Sequence, residues 1–306
     1  MISIRGLTKS YGPVEVLHGI ELEIERGEIF ALLGPNGAGK TTTVEILEGY
    51  RDRDGGEVSV LGVDPRNAAM QWRDRIGIVL QDSADFSDLT VRESVAHFRH
   101  YYSRPRDLEH VISAVGLTEK SDQKIRTLSG GQRRRLDVAL GIIGSPELLF
   151  LDEPTTGFDP RARRSFWELI QKLREEGTTI LLTTHYLDEA EALADRVGVI
   201  TDGRILEVSP PATLGGREKA KATVSWRDHL GSLHRVETDH PTELVTRLIK
   251  EFDGEIPSLS VKRPTLEEIY LKMIGEFDSL DQVLDQSLDQ RLDARDTSSF
   301  EGVEKS

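Results

Sequence analysis

The sequence contains no cysteine, which excludes two kinds of chemistry. No disulfide framework can brace the fold, and no thiolate can hold a metal. Long apolar runs are also missing: no stretch approaches the ~18 apolar residues that a membrane-spanning helix needs. Any membrane role is therefore expected to pass through a separate chain. Positive charge is scarce, with 39 lysines and arginines against 53 aspartates and glutamates, a net −14. Broad contact with a nucleic-acid backbone needs a basic face, so no nucleic-acid partner is expected. The opening residues, Met1-Ile2-Ser3-Ile4-Arg5, enter an alternating strand pattern at once, and no signal peptide is read there. These absences fit a cytoplasmic globular chain. A length of 306 residues suits one large α/β domain and a smaller appendage.

What is present is strand–helix alternation. Val14 to Ile29 is rich in apolar and β-branched residues, and Phe30-Ala31-Leu32-Leu33 reads as a short buried strand. A helix is expected from Thr41 to about Glu48, stopped by Gly49. Strands are expected at Glu57 to Leu61 and Arg75 to Leu80. From about Asp82 to Arg126 the apolar spacing turns helical, as an insertion in the α/β core. Another helix is expected over Gln132 to Ile143, with strands at Leu148 to Leu151, Thr179 to Leu182 and Arg196 to Ile200. That alternation implies a mainly parallel sheet. After Pro210-Pro211 come two candidate strands, Lys221 to Trp226 and Leu233 to Glu237, then helices at Glu243 to Phe252 and Thr265 to Ile274. The domains expected are 1–210, with its insertion at about 82–130, then 211–275, then a tail at 276–306. The tail carries nine acidic and three basic residues and a Leu-Asp-Gln repeat at 280–290. It reads as solvated and partly disordered, with a partner-binding helix as the alternative.

Three runs carry the chemistry. Gly34-Pro35-Asn36-Gly37-Ala38-Gly39-Lys40-Thr41 fits G-x-x-x-x-G-K-[ST], between an apolar strand and a helix. Its glycines let the backbone approach phosphate oxygens, and the helix start aims free N–H groups at them. Lys40 is expected at the β- and γ-phosphates and Thr41 on Mg²⁺, with Thr42 also at the nucleotide. Leu148 to Leu151 then delivers Asp152 and Glu153 to a strand's carboxyl end. Asp152 is read as an Mg²⁺ ligand through water, and Glu153 as the base that polarises the attacking water. Taken alone, this pair also fits two acids capping a strand. The third run is Leu128-Ser129-Gly130-Gly131-Gln132, at a helix start suited to a γ-phosphate. Taken alone, it also fits a serine N-cap followed by a glycine turn.

With all three in this order, residues 3–208 resemble the ATP-binding cassette (ABC) family. The resemblance implies a P-loop NTPase core with an N-terminal antiparallel β subdomain and a small C-terminal α/β domain. It implies a homodimer in which Ser129, Gly130, Gly131 and Gln132 of one copy clasp the ATP held by Lys40 of the other. By the same resemblance Tyr11 stacks on adenine, and Gln81 senses Mg²⁺ and water as a metal and catalytic residue. His185 is the γ-phosphate switch, and Asp159 lies in a dimer-interface loop, where Phe158 replaces the more usual leucine. The insertion from about Phe86 to Glu93 is then the surface that meets a membrane partner. Gly131-Gln132-Arg133-Arg134-Arg135-Leu136 and Pro264 to Leu271 resemble daunorubicin-resistance-type multidrug exporters. The implied protein is an ATPase on the cytoplasmic face of the membrane, powering export through separate permease subunits. The alternatives are an ABC ATPase of DNA repair or translation, and a scaffold with a dead cassette. The first usually carries a coiled coil or two cassettes, and the second is disfavoured by Lys40, Thr41, Asp152, Glu153 and His185.

Overall fold

The computed structural model describes residues 1–79 and 87–275. Gln81, the start of the coupling segment at Phe86, and the acidic tail with its repeat lie outside the described residues. The chain forms two compact units, one ending at Ala212 and one beginning at Thr213. The first runs through β1 (Ile2–Tyr11), β2 (Val14–Ile24), β3 (Ile29–Leu33), α1 (Lys40–Leu47) and β4 (Gly55–Val60). It continues with α2 (Met70–Arg73), β5 (Ile76–Val79), α3 (Val91–Arg99), α4 (Leu108–Ala114) and α5 (Gly130–Ile142). It ends with β6 (Leu148–Asp152), α6 (Pro160–Glu175), β7 (Thr179–Thr184), α7 (Leu187–Leu193), β8 (Arg196–Thr201) and β9 (Arg204–Ser209).

Alternating apolar residues build the small sheet. β1 pairs antiparallel with β2 and β4, in the order β2-β1-β4. Ile2, Ile4, Leu7, Leu17, Ile20, Leu22 and Ile24 turn inward and are buried. Trp72 of α2 caps this core, its indole N–H donating to the Val60 carbonyl at 2.8 Å. That bond lets the large ring be buried without an unpaired donor.

The large sheet follows the other pattern. Every residue of β3 is buried, as is every residue of β7, and strands covered on both faces read as continuous apolar runs. The order is β5-β6-β7-β3-β8-β9. All pairs are parallel except β8–β9, so the expected mainly parallel sheet is borne out. β9 was not foreseen, because its half-exposed residues carry neither a clean alternation nor a long apolar run. The carboxyl ends of β3 and β6 open on one side, separated by β7.

The insertion is short and well capped. Thr90 accepts from the Glu93 N–H, and Glu93 accepts from the Thr90 N–H, a reciprocal cap that starts α3. Asp107 caps α4 through the His110 N–H. Val91, Val95, Val111 and Ile112 are buried, on faces where α3, α4 and α5 contact one another.

In the second unit β10 (Ala222–Arg227), β11 (Leu233–Thr238), α8 (Pro241–Phe252) and β12 (Ser260–Lys262) form an antiparallel sheet, order β11-β10-β12, with one helix packed on it. Its core is Val224, Leu244, Leu248 and Ile256. A further helix over 266–275 begins at Thr265, which accepts from the Glu268 N–H at 3.1 Å.

Candidate active site

β3 carries the chain directly into the loop at Gly34. A side chain there would lie 2.2 Å from the Ile200 carbonyl oxygen, so only glycine fits. The loop closes at Gly39, whose φ of 99° is left-handed, the region that glycine occupies without strain. No side chain caps α1 and no acid occupies its first turn. The helix's free N–H groups and its positive dipole end are thus left for an anion.

Lys40 folds back over this loop. Its ammonium donates to the carbonyls of Gly34 at 2.8 Å and Pro35 at 3.0 Å. It also lies 3.8 Å from Glu153 Oε1. Burial pushes its pKa below the usual lysine value, against the opposing pull of Glu153 and Asp152. From the neighbouring strands, Thr183 of β7 organises both acids. Its hydroxyl donates to Asp152 Oδ1 at 2.5 Å. The Glu153 N–H points at the Thr183 carbonyl (3.2 Å) and hydroxyl oxygen (3.1 Å). Glu153 itself has φ 42°, a backbone state that non-glycine residues seldom adopt and that clusters at functional sites. Its Oε1 sits 3.2 Å from His185 Nδ1, and the His185 ring packs against Tyr186 with centroids 4.0 Å apart.

Lys40, Asp152 and Glu153 line one cleft of about 650 Å³ together with Tyr11, Asn36, Gly37, Gly39, Thr41 and Thr42, whereas Gly34, Pro35, Ala38 and His185 are not among its lining residues. Val16, Glu45 and Arg51 also line it, and sequence reading did not single them out. Arg51 sits over the Tyr11 ring at 5.2 Å and pairs with Glu45 at 2.5 Å. Ser129, Gly130, Gly131 and Gln132 do not line the cleft. They begin α5, where Ser129 and Gln132 cap each other: the Gln132 N–H donates to Ser129 Oγ (3.3 Å) and the Ser129 N–H to Gln132 Oε1 (3.0 Å). The serine N-cap expected there is present, but the glycines open the helix rather than forming a turn. Asp159 caps α6 through the Arg161 and Ala162 N–H groups. Phe158 turns onto the buried Phe166, ring to edge at 5.7 Å.

One acid beneath the site has an unusual state. Glu48 follows α1 and is pushed up to about 8, chiefly by burial and then by the charges of Asp152 and Glu45. Its folded pKa exceeds its unfolded value, so the folded chain holds the extra proton and stability falls as pH rises between the two. Glu48→Gln removes that penalty. It is expected to leave melting nearly unchanged at pH 5 and to stabilise the chain at pH 9 by up to about 4 kcal/mol. Thermal melts at the two pH values check this; an equal effect at both would refute it.

A glycine-bearing loop between β3 and α1, with two carboxylates at the end of β6 on the same parallel sheet, is the arrangement of a P-loop nucleoside triphosphatase. Residues 17–156 match the model of the "ABC transporter" family. The linearmycin resistance ATP-binding protein LnrL of Bacillus subtilis is 33% identical, covering 90% of this chain and 98% of its own. The daunorubicin/doxorubicin resistance ATP-binding protein DrrA of Streptomyces peucetius is 35% identical, covering 90% and 92%. Among solved structures, cbiO1 of Clostridium perfringens, part of the ABC transporter complex cbiONQ, superposes with TM-score 0.64 at 28% identity, over 69% of this chain and 88% of its own. A cassette solved as a post-hydrolysis dimer with ADP and Pi shares the fold, with TM-score 0.62 at 24% identity over 69% and 98%. The chain belongs to the ABC transporter family and is an ATP-binding cassette ATPase.

Proposed function

We propose that this chain powers export of a drug, antibiotic or lipid-like substrate through separate membrane permease subunits. Resistance ATP-binding proteins similar along nine-tenths of the chain support that reading. So does the meeting of Lys40, Asp152 and Glu153 in one cleft, with His185 at 3.2 Å from Glu153. Residues 1–210 act as the nucleotide-binding domain and 211–275 as a small appended domain. In this reading the chain is a peripheral subunit on the cytoplasmic face; among the described residues no helix is long and apolar enough to cross a membrane. The reading as a DNA-repair or translation ATPase is not favoured by these relatives, nor by the net charge of −14.

The loop N–H groups and Lys40 bind the triphosphate, and Tyr11 stacks on the base. Thr41 and Asp152, which line the same cleft, together with Gln81 would hold Mg²⁺; hard oxygen donors of this kind suit that ion. Bound there, it would supply charge neutralisation at the phosphates. Glu153 takes the proton of the attacking water at its carboxylate, and His185 orients that carboxylate. Positioning and charge carry most of the acceleration.

The cleft is completed by a second copy. Ser129 to Gln132 stand off their own cleft, and their helix start is presented to the nucleotide bound by the partner. Ser129→Asp keeps the N-cap but sets a negative charge against a phosphate. It is expected to lower hydrolysis about 100-fold or more, with ATP affinity of the monomer unchanged within about twofold. An equal loss of monomer affinity would sink the shared-site reading. Export itself is tested by co-purification from the producing cell: a multi-span membrane protein is expected, and recovery with ribosomes or DNA instead overturns it.

A further inference from the structure

Three consecutive arginines follow the signature run, and they have different fates. Arg133 is exposed and Arg135 half-buried, and each reaches a carbonyl of the helical insertion, at Ile125 and Val115 respectively. Arg134 is buried, 7% exposed. Its Nε donates to the Pro154 carbonyl at 3.1 Å and one terminal nitrogen donates to the Asp152 carbonyl at 2.7 Å. Those two carbonyls flank Glu153 on either side. We infer that Arg134 is a positioning residue for Glu153, which fixes the catalytic carboxylate to the helix that carries the signature run.

The geometry gives the reason. The Asp152 carbonyl lies in the peptide plane that enters Glu153, and the Pro154 carbonyl lies one residue beyond the plane that leaves it, so the two bonds pin the backbone before and after Glu153 and with it the direction in which its carboxylate points. Glu153 holds a left-handed backbone at φ 42°, which persists only where neighbours over-determine it. The planar fork of a guanidinium can engage two carbonyls at once, which a lysine head cannot do with the same rigidity. Burying such a cation is costly. The negative charges of Asp137, Asp152 and Glu189 offset part of that cost, with Asp137 Oδ2 at 3.9 Å. Packing of α5 alone does not call for an arginine there, since Leu136, Val138, Ala139 and Ile142 already bury its inner face.

A consequence follows for the dimer. Ser129 and Arg134 lie at the start and in the first two turns of one short helix. Seating that helix start on the partner's nucleotide therefore moves, or locks, the clamp around this chain's own Glu153. Each chain's base then responds to occupancy of the other chain's ATP. This rests on the reading of Glu153 as base and of the signature as a shared element.

The test uses the full chain with Arg134→Met and Arg134→Lys, each alone and combined with Glu153→Gln. Melting of each variant is recorded first. Arg134→Met is expected to lower kcat tenfold or more, leaving monomer ATP affinity and ATP-dependent dimerisation within twofold of the parent. Arg134→Lys, which keeps charge and length but not the fork, is expected to recover only part of kcat. In the Glu153→Gln background, Arg134→Met is expected to change the residual rate by less than twofold, because a residue acting through Glu153 adds nothing once the base is gone. Additive losses in that background, or parallel losses in kcat and affinity, overturn the proposal. A normal rate for Glu153→Gln alone would instead overturn the base assignment, so the two failures are distinguishable. If Arg134→Met does not fold, the lysine variant in both backgrounds decides the question.

Discussion

Glu153→Gln is expected to bind ATP as tightly as the parent chain and to accumulate as an ATP-bound dimer, while hydrolysis falls by about 10²–10⁴-fold, the range a positioned general base supplies. The substitution keeps the shape of the side chain and its ability to accept a hydrogen bond. It removes the charge that attracts Lys40, 3.8 Å away, and the base that sits 3.2 Å from the His185 ring. The nucleotide contacts proposed for the loop, α1 and Tyr11 all stay in place, since the change alters one carboxylate only. Steady-state phosphate release and size-exclusion in ATP give the two readings. A normal rate would mean that another group takes the proton.

Lys40→Ala is expected to fail at the preceding step. Its buried ammonium gives up hydration, which lowers its pKa, in exchange for bonds to the Gly34 and Pro35 carbonyls and the charge of Glu153, and these effects oppose one another in the nucleotide-free fold. Melting without nucleotide is therefore expected to stay close to the parent. With ATP the variants part. At a ligand concentration of about 100 times Kd, the parent gains about 2.7 kcal/mol of stability. A variant whose affinity is about 100-fold weaker gains only about 0.4 kcal/mol under the same conditions. Thermal shift against ATP concentration measures both. A variant that keeps the full ATP-dependent shift would show that the loop N–H groups alone hold the triphosphate.

The parts of this molecule that could be read in its letters are those where one residue's role depends on its near neighbours. The phosphate loop is such a case, because its glycines answer to backbone geometry within a few residues. The apolar run before Asp152 is another, since a strand buried on both faces leaves a local mark. The features that escaped depend on distant partners. Arg133, Arg134 and Arg135 are the same letter three times, and only the approach of the Asp152–Pro154 backbone makes the middle one different. Thr183 was passed over beside His185, because its value lies in reaching Asp152 across a strand pair. The Arg51–Glu45 pair at Tyr11 is likewise a meeting of α1, the segment after it, and the end of β1. β9 was missed because an edge strand needs no strong apolar pattern of its own.

The order of the large sheet sets a tolerance for the whole engine. β7 stands between the strand that ends in the phosphate loop and the strand that ends in Asp152, pairing Leu33 with Thr184 on one side and Asp152 with Thr183 on the other. It is a spacer two interstrand steps wide, each step roughly 4.8 Å. Helices around the sheet can shift and repack while that width stays constant. A one-residue slip along β7 would displace the two halves of the site by roughly 3.3 Å, more than a hydrogen bond can follow. A substitution that shifts any of the six buried residues from Thr179 to Thr184 therefore disturbs both halves of the site at once.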